Sequence, residues 1–335
     1  MEKILTISIA AYNVESFLFN TLDSFILSKP YMDLLEVIVV SDGSKDKTVE
    51  IANKFKQKYP NTFVVIDKDN GGYGSTINAS IPIARGKYYK LVDGDDWVES
   101  SELEKLIDSL ITSEADMILT KYCTVVDGTE ETETIDCGYA FDNKEHKSNV
   151  LYGHSLPMHM IAVKTSILKN NTIHITEKCF YTDLEYVVKL LPHVHNVFLL
   201  DATVYMYRIG REEQSVSIRS WQKNVEQAIK VTYELSDYYG KIDEDISDQN
   251  MKRYILEKVS SSAINKYRIL LSFPAKREVK ERIKNYDKEL SSVNPEIRRE
   301  CSSNKLVLLL MIPGMPLYRL LSIIYRKHLR KKGLL

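Results

Sequence analysis

Tyr88-Tyr89-Lys90-Leu91-Val92-Asp93-Gly94-Asp95-Asp96-Trp97 is the stretch that decides the fold. Its first half is a short apolar run of the kind that forms a buried strand. The carboxylates then emerge together where the strand ends, at the edge where open α/β sheets bind ligands. Three carboxylates within four residues repel one another, and holding them together is costly unless a cation or hydroxyl donors sit among them. A metal-bound nucleotide suits such a place. Taken alone, the cluster fits a solvated acidic turn capping the next helix equally well.

Working outward, apolar runs at 4–10, 35–40, 63–66 and 88–92 alternate with helix-like segments at 15–28, 46–58, 75–84 and 101–111. That rhythm predicts βαβ units and a mostly parallel sheet flanked by helices. Pro60 and Gly86 follow the second and third helices, and Ser101-Glu102-Leu103-Glu104 has the form of a capping box for the fourth. From about residue 116 the texture changes to strands at 117–126 and 129–137 around Asp127-Gly128, as at a mixed sheet edge. A short helix near Thr182 and a strand at 196–208 follow, and beyond Trp221 the chain reads as helical to about Tyr286, broken at Phe273-Pro274. The expected organisation is an α/β domain over 1–220, in halves 1–115 and 116–220, with a helical C-terminal extension over 221–335.

At 335 residues, 44% hydrophobic and 27% charged, the chain has room for about two ordinary globular domains. Lys+Arg 45 against Asp+Glu 46 gives no general field for nucleic acid, so no such partner is expected. Cys123, Cys137, Cys179 and Cys301 form no CxxC pair, which argues against a zinc or disulfide framework and for a reducing, cytoplasmic compartment. The first ten residues alternate as a strand does and lack a basic leader. No apolar run approaches the roughly 20 residues of a membrane span; residues 306–312 come nearest and are broken by Pro313, Gly314 and Pro316.

Four loops would fall at the carboxyl ends of successive strands: Ala11-Tyr12-Asn13, Ser41-Asp42-Gly43-Ser44, Asp69-Asn70-Gly71-Gly72-Tyr73-Gly74, and the Asp93 turn. In a parallel sheet these ends share one edge, so the loops converge, although Asp-Gly-Ser and Asn-Gly-Gly singly are ordinary turn chemistry. In this order and spacing they closely resemble the family 2 glycosyltransferases, which have the GT-A (Rossmann-like) fold and act on nucleotide sugars, usually with inversion. The resemblance is strong over about 3–112 and looser over 157–217. It implies that 1–115 is the nucleotide-binding half and 116–220 the acceptor half. It also implies that Ala11, Tyr12 and Asn13 pack around the base with Glu15 nearby, that Asp42 bonds uracil, that Asn70, Gly71 and Gly72 lie beside the nucleotide, and that Asp93 and Asp95 are the DxD pair holding Mn2+ or Mg2+.

Oxygen ligands suit those hard cations. Asp96 fits a third ligand or an outer acceptor; Trp97 fits the floor of a sugar site or a plug for the core. Two positions depart from the pattern. Ile77 stands where many members have an arginine before the asparagine matching Asn78, so a diphosphate contact from there is not carried over. The glycine-rich run also offers backbone N–H groups of Gly74 to Thr76 at a helix start for an anion instead.

Tyr181-Thr182-Asp183-Leu184-Glu185-Tyr186 resembles the family's Glu-Asp motif, which makes Asp183 the expected general base, with Thr182 in place of the usual glutamate. Thr182 and Glu185 also satisfy a capping-box pattern, and at the first helical position the helix dipole favours an ionised Asp183. Arg208, Arg211, Gln214 and Ser215 match the basic, serine-containing segment that closes over the diphosphate, arginine being the natural phosphate fork. The Gln214 to Trp221 stretch does not reproduce the run of processive synthases, so one sugar per encounter is expected. His193 and His195 read as a surface turn, and His154 and His159 lie in a stretch that could face the acceptor.

The tail at 304–335 combines apolar residues with clustered Arg and Lys, as in a segment lying in the interface of an anionic membrane. The alternative is a helix docked on its own domain or on a second copy of the chain. The expected partners are a nucleotide-sugar donor and a glycan or lipid-linked acceptor, with peripheral membrane contact. The rival readings are a non-catalytic carbohydrate-binding or scaffold protein on the same fold and a nucleotidyltransferase. A dinucleotide oxidoreductase lacks support, because Ala-Ala-Tyr-Asn after the first strand is not the Gly-x-Gly-x-x-Gly that pyrophosphate approach needs.

Overall fold

The computed structural model describes residues 2–210, 217–242 and 246–335. The chain forms two compact units, one of residues 1–178 and 182–210 and the other of 179–181 and 211–335.

The first unit is built on β1 (Leu5–Ala11), β2 (Leu35–Asp42), β3 (Phe63–Lys68), β4 (Tyr88–Asp93), β5 (Trp97–Val98), β6 (Met117–Val126), β7 (Thr132–Ile135), β8 (Lys144–Lys147), β9 (Ile161–Lys164) and β10 (Asn196–Ile209). They form one sheet in the order β3-β2-β1-β4-β9-β6-β10-β5, with β7 beside β6 and β8 beside β10. β3, β2, β1 and β4 run parallel. β9 is antiparallel to both β4 and β6, while β6 and β10 are parallel again. The expected mostly parallel sheet with a mixed edge is therefore present, β5, β7 and β8 pairing antiparallel on that side, while β9 carries the mixing into the interior. Every residue of β2 is buried, as strands covered on both faces are, and Val37, Val39, Ile7 and Ile9 are at 0% exposure in the core. Each such aliphatic side chain adds about 1.5–3 kcal/mol of burial. Glu36, in the same strand, is tolerated because Arg85 Nε (2.5 Å), Arg85 N and Thr6 Oγ1 all donate to it.

The helices of this unit are α1 (Glu15–Asp23), α2 (Lys29–Leu34), α3 (Thr48–Lys58), α4 (Tyr73–Ser80), α5 (Ser100–Thr112), α6 (Thr165–Asn170) and α7 (Asp183–Leu190). The helix expected over 15–28 ends early, at Asp23, where the chain turns Phe25 into the core; α2 begins beyond the expected range, with Pro30 in its first turn. The capping box at Ser101 and Glu104 does not form. Glu99 is the N-cap, Ser101 Oγ donates to Glu99 Oε1 (3.3 Å), and Ser100 Oγ donates to Ser24 O (2.8 Å), starting the helix a residue early. β10 runs 14 residues and carries extra residues against β6 between Leu199 and Tyr205, a bulge that bends it.

The second unit is helical: α8 (Ile218–Lys223), α9 (Val225–Ile242), α10 (Gln249–Ser272), α11 (Arg277–Val293), α12 (Pro295–Cys301), α13 (Lys305–Leu310) and α14 (Tyr318–Lys331). α10 is its centre, with Ile255, Val259, Ala263 and Leu270 fully buried. α14 packs through Ser322 Oγ, which donates to Leu271 O (3.2 Å), and Tyr318 Oη, which donates to Lys276 O (2.9 Å). Among the described residues no helix is long and apolar enough to cross a membrane, and no disulfide joins the four cysteines.

Candidate functional site

Parallel pairing fixes where the loops emerge. Ala11 is level with Ser41, Ala10 with Asp93, and Asp42 with Lys68, so the ends of β1 to β4 share one edge. Asp42 and Asp93 are separated by β1 alone, roughly 10 Å of sheet width. Gly94 is required at the turn because a Cβ there would stand 2.8 Å from Ala10 O.

Asp42 is 3% exposed. Its Oδ1 accepts from Gly71 N (2.8 Å), Lys68 Nζ (2.9 Å) and Ser75 Oγ (3.1 Å), and Oδ2 accepts from Gly72 N (2.8 Å). Asn70 Nδ2 donates to Asp42 O (2.8 Å). The anion at this glycine-rich loop is thus the protein's own carboxylate, held through Gly71 and Gly72 instead of Gly74 to Thr76. Oδ2 keeps a lone pair for a further donor. Nothing in the sequence marks Lys68 or the Ser75 hydroxyl as a partner of Asp42. Ile77 is fully buried, and Asn78 bonds both backbone groups of Ile175.

Tyr12 is 53% exposed beside Ala11, which is 1% exposed. Asn13 takes a φ of 51°, its Oδ1 accepts from Lys45 N (2.8 Å), and Glu15 Oε2 accepts from Lys47 N (2.8 Å). The first-strand loop and the loop after Asp42 are thereby tied together.

In the acidic turn Asp96 is 1% exposed: Oδ2 accepts from Tyr205 Oη (2.6 Å) and Oδ1 from Arg208 N (2.8 Å). Burial, then the charges of Asp93 and Asp95, push its pKa well up. Asp93 is raised to about 7 by burial first and then by Asp95, with a smaller push from Asp183, while the neighbouring Tyr73 hydroxyl pulls it back. Asp93 Oδ1 is covered and has no hydrogen-bond partner among the described residues. An orphaned acceptor inside an acidic turn fits a cation, and the ligand atoms within 4.8 Å of one another there are those of Asp93, Asp96 and His159.

Asp183 opens α7 and is exposed. Its charge acts on Asp93, Tyr73 and Tyr207, which brings it to the same site as the turn. The Thr182–Glu185 capping box is absent. Thr182 has helical φ and ψ (−90°, −1°) and its Oγ1 has no partner among the described residues. Glu185, fully buried, instead accepts from Thr176 N (3.1 Å), Thr176 Oγ1 (2.9 Å) and Lys189 Nζ (2.6 Å).

Arg208 lies under the turn. Nε donates to Asp95 O (3.0 Å), Nη1 pairs with Asp127 (2.7 Å), and the guanidinium lies 4.8 Å from the Trp97 ring and 5.0 Å from that of Phe17. In this arrangement it supports the turn from below. Arg211, Gln214 and Ser215 lie outside the described residues. His154 bonds Cys137 O (3.1 Å), and His193 ends a short 3-10 turn.

Sequence reasoning underrated His159 and missed Lys90, Tyr73, Tyr205 and Tyr207. His159 stacks on Tyr207 (4.5 Å) and meets Tyr205 edge-on (4.6 Å); burial, then Lys90, lowers its pKa to about 3. Lys90 donates to His159 O (2.6 Å), and burial lowers it to about 7. A lysine inside the apolar run 88–92 was the available signal.

A parallel-rich sheet curled by an antiparallel insertion, with helices around it and an acidic turn at its ligand-binding edge, is the GT-A architecture. Residues 6–166 match the family described as Glycosyl transferase family 2, and this stretch is a glycosyltransferase domain of that family. The putative glycosyltransferase EpsH of Bacillus subtilis is 31% identical over 150 residues, 44% of this chain and 42% of its own. The minor teichoic acid biosynthesis protein GgaB of the same organism is 27% identical over 222 residues, 64% of this chain and 24% of its own. The chain thus spans under half the length of either relative. The crystal structure of S. aureus TarS 1-349 in complex with UDP-GlcNAc shares the fold, with a TM-score of 0.66 at 19% identity over 99% of this chain and 92% of that one.

Proposed function

We propose that the chain transfers one sugar, with inversion, from a nucleoside diphosphate sugar of the UDP type to a hydroxyl of a glycan or lipid-linked acceptor. The observation carrying this reading is the covered, unpartnered Asp93 Oδ1 in an acidic turn at the edge where the β1 to β4 loops meet, with Asp183 near enough for its charge to raise Asp93. A base and an acidic cation-holding turn would then attend one reacting centre. Ala11, Tyr12, Asn13 and Glu15 would bound the base, Asp42 Oδ2 would accept from its N–H, and Asn70, Gly71 and Gly72 would line the nucleotide. Asp93 and Asp95 would hold Mn2+ or Mg2+, which when bound neutralises charge on a diphosphate. Asp183 takes the acceptor hydroxyl's proton while that oxygen attacks the anomeric carbon opposite the departing diphosphate; one in-line displacement inverts the centre.

Arg211, Gln214 and Ser215 would contact the diphosphate while Arg208 braces the acidic turn, with residues 1–220 as the catalytic domain and 221–335 as its helical extension. The bound donor in TarS supports a UDP-sugar, and the teichoic acid role of GgaB supports a bacterial surface glycan as acceptor. Residues 304–335 would lie on an anionic membrane, which the exposed Leu320, Ile323 and Ile324, at one-face helical spacing beside Lys327 and Lys331, support.

The test is nucleotide release from UDP-, GDP- and dTDP-sugars with Mn2+. Release from a UDP-sugar is expected, with Asp183→Asn slowing transfer about 10²–10⁴-fold at unchanged UDP affinity. Unaltered turnover in that variant would remove Asp183 from the mechanism.

A further inference from the structure

Two polar atoms beneath the acidic turn are covered and without partners among the described residues: Asp93 Oδ1 and His159 Nδ1. Buried polar groups are nearly always bonded, so a pair of orphans in one place points to a missing third party. Asp93, Asp96 and His159 each offer a ligand atom, and these atoms lie within 4.8 Å of one another. Oxygen ligands 2.0–2.6 Å from a hard cation stand about 3–5 Å apart, so the spacing suits a shared ion.

The surroundings prepare the imidazole for a ligand's role. Tyr207 stacks on the ring at 4.5 Å and 28°, Tyr205 meets its edge, and Lys90 Nζ holds the His159 carbonyl at 2.6 Å. The ring is fixed, yet the described residues give its Nδ1 nothing to bond. Lys90, the cation at hand, donates to the carbonyls of His159 and Ile161 and leaves the carboxylates without it. Asp96 is oriented by Tyr205 Oη and Arg208 N, as outer groups orient metal ligands, and each of its oxygens has a second lone pair.

We propose that Asp93, Asp96 and His159 form a nitrogen-containing divalent-cation site under the turn, which takes a first-row transition ion, Mn2+ included, in preference to Mg2+ or Ca2+. The inference rests on the reading that a cation belongs at Asp93, and it changes the ligand set and the metal. Imidazole is the reason for the selectivity, since all-oxygen sites suit Mg2+ and Ca2+ and mixed nitrogen–oxygen sites do not.

Pulsed EPR of the metal-stripped full chain loaded with Mn2+, alone and with UDP, tests it. The expected spectrum carries coupling to a directly bound nitrogen, retained in Asp95→Asn and lost in His159→Gln, whose Mn2+ affinity falls at least tenfold while its circular dichroism stays that of the parent. Mg2+ in large excess should displace Mn2+ poorly. Absence of nitrogen coupling in the parent protein, with and without UDP, overturns the site whether or not any variant folds. So does a His159→Gln protein with parental affinity and spectrum. Nucleotide release without nitrogen coupling refutes this site and leaves sugar transfer standing; coupling without release from any nucleotide sugar does the reverse.

Discussion

Replacing Asp42 by alanine removes the acceptor for four donors, and the cost can be worked donor by donor. Lys68 Nζ keeps Asp69 O and is partly solvated, and Ser75 Oγ keeps Gly72 O (2.7 Å), so neither is left stranded. Gly71 N–H is buried and loses its only hydrogen-bond partner among the described residues; Gly72 N–H is half-buried and partly rehydrates. A stranded buried donor costs about 1–3 kcal/mol, so with a smaller amount for Gly72 the loop loses about 2–4 kcal/mol of anchoring. At 1.4 kcal/mol per decade this is a roughly thirty- to several-hundred-fold rise in local opening. Amide hydrogen exchange across 70–75 measures it, with UDP affinity falling in parallel if the base sits at Oδ2. Exchange at Gly71 and Gly72 unchanged in Asp42→Ala would show that this carboxylate does not hold the loop.

Asp93 gives a pH signature. Its folded pKa, about 7, lies above the ordinary aspartate value of 3.8, so its contribution is complete below about pH 4 and is lost as pH rises through 7. Metal-free protein should therefore lose denaturant resistance over that window, and Asp93→Asn should flatten the decline; identical profiles would contradict the assignment. Gly74→Ala places a Cβ 2.3 Å from Thr176 O, a side-chain carbon against a backbone carbonyl, and should destabilise by about 1–3 kcal/mol, read from urea midpoints. Leu320, Ile323 and Ile324 changed together to serine should abolish flotation with anionic liposomes while leaving transfer to a soluble acceptor intact; equal flotation would end the membrane reading.

The strands and their loops were legible because β1 to β4 are short, apolar and ordered by parallel pairing, so their ends had to meet. The insertion of β9 between β4 and β6 was not, because Ile161–Lys164 is four residues long and its two-sided pairing is a tertiary choice. Both expected capping boxes failed for one reason: local pattern cannot show tertiary claims, those of Thr176 and Lys189 on Glu185 and that of Ser24 O on Ser100, which starts the other helix before Ser101. Asp42 stood out as a candidate in the sequence, but its bonds to Gly71 and Gly72 did not. His159 became informative only when Asp93 and Tyr207 were found around it.

The bulge in β10 has a consequence for how the chain tolerates insertions and deletions. Tyr205 and Tyr207 point to one face of the sheet and Met206 and Arg208 to the other, so the residues between Leu199 and Tyr205 act as a phase-setter for everything downstream. Removing one of them would rotate the phenol rings away from the imidazole and swing the guanidinium off Trp97 in a single stroke. Length in that short arc is more tightly constrained than side-chain identity, and relatives would vary its residues more freely than their number.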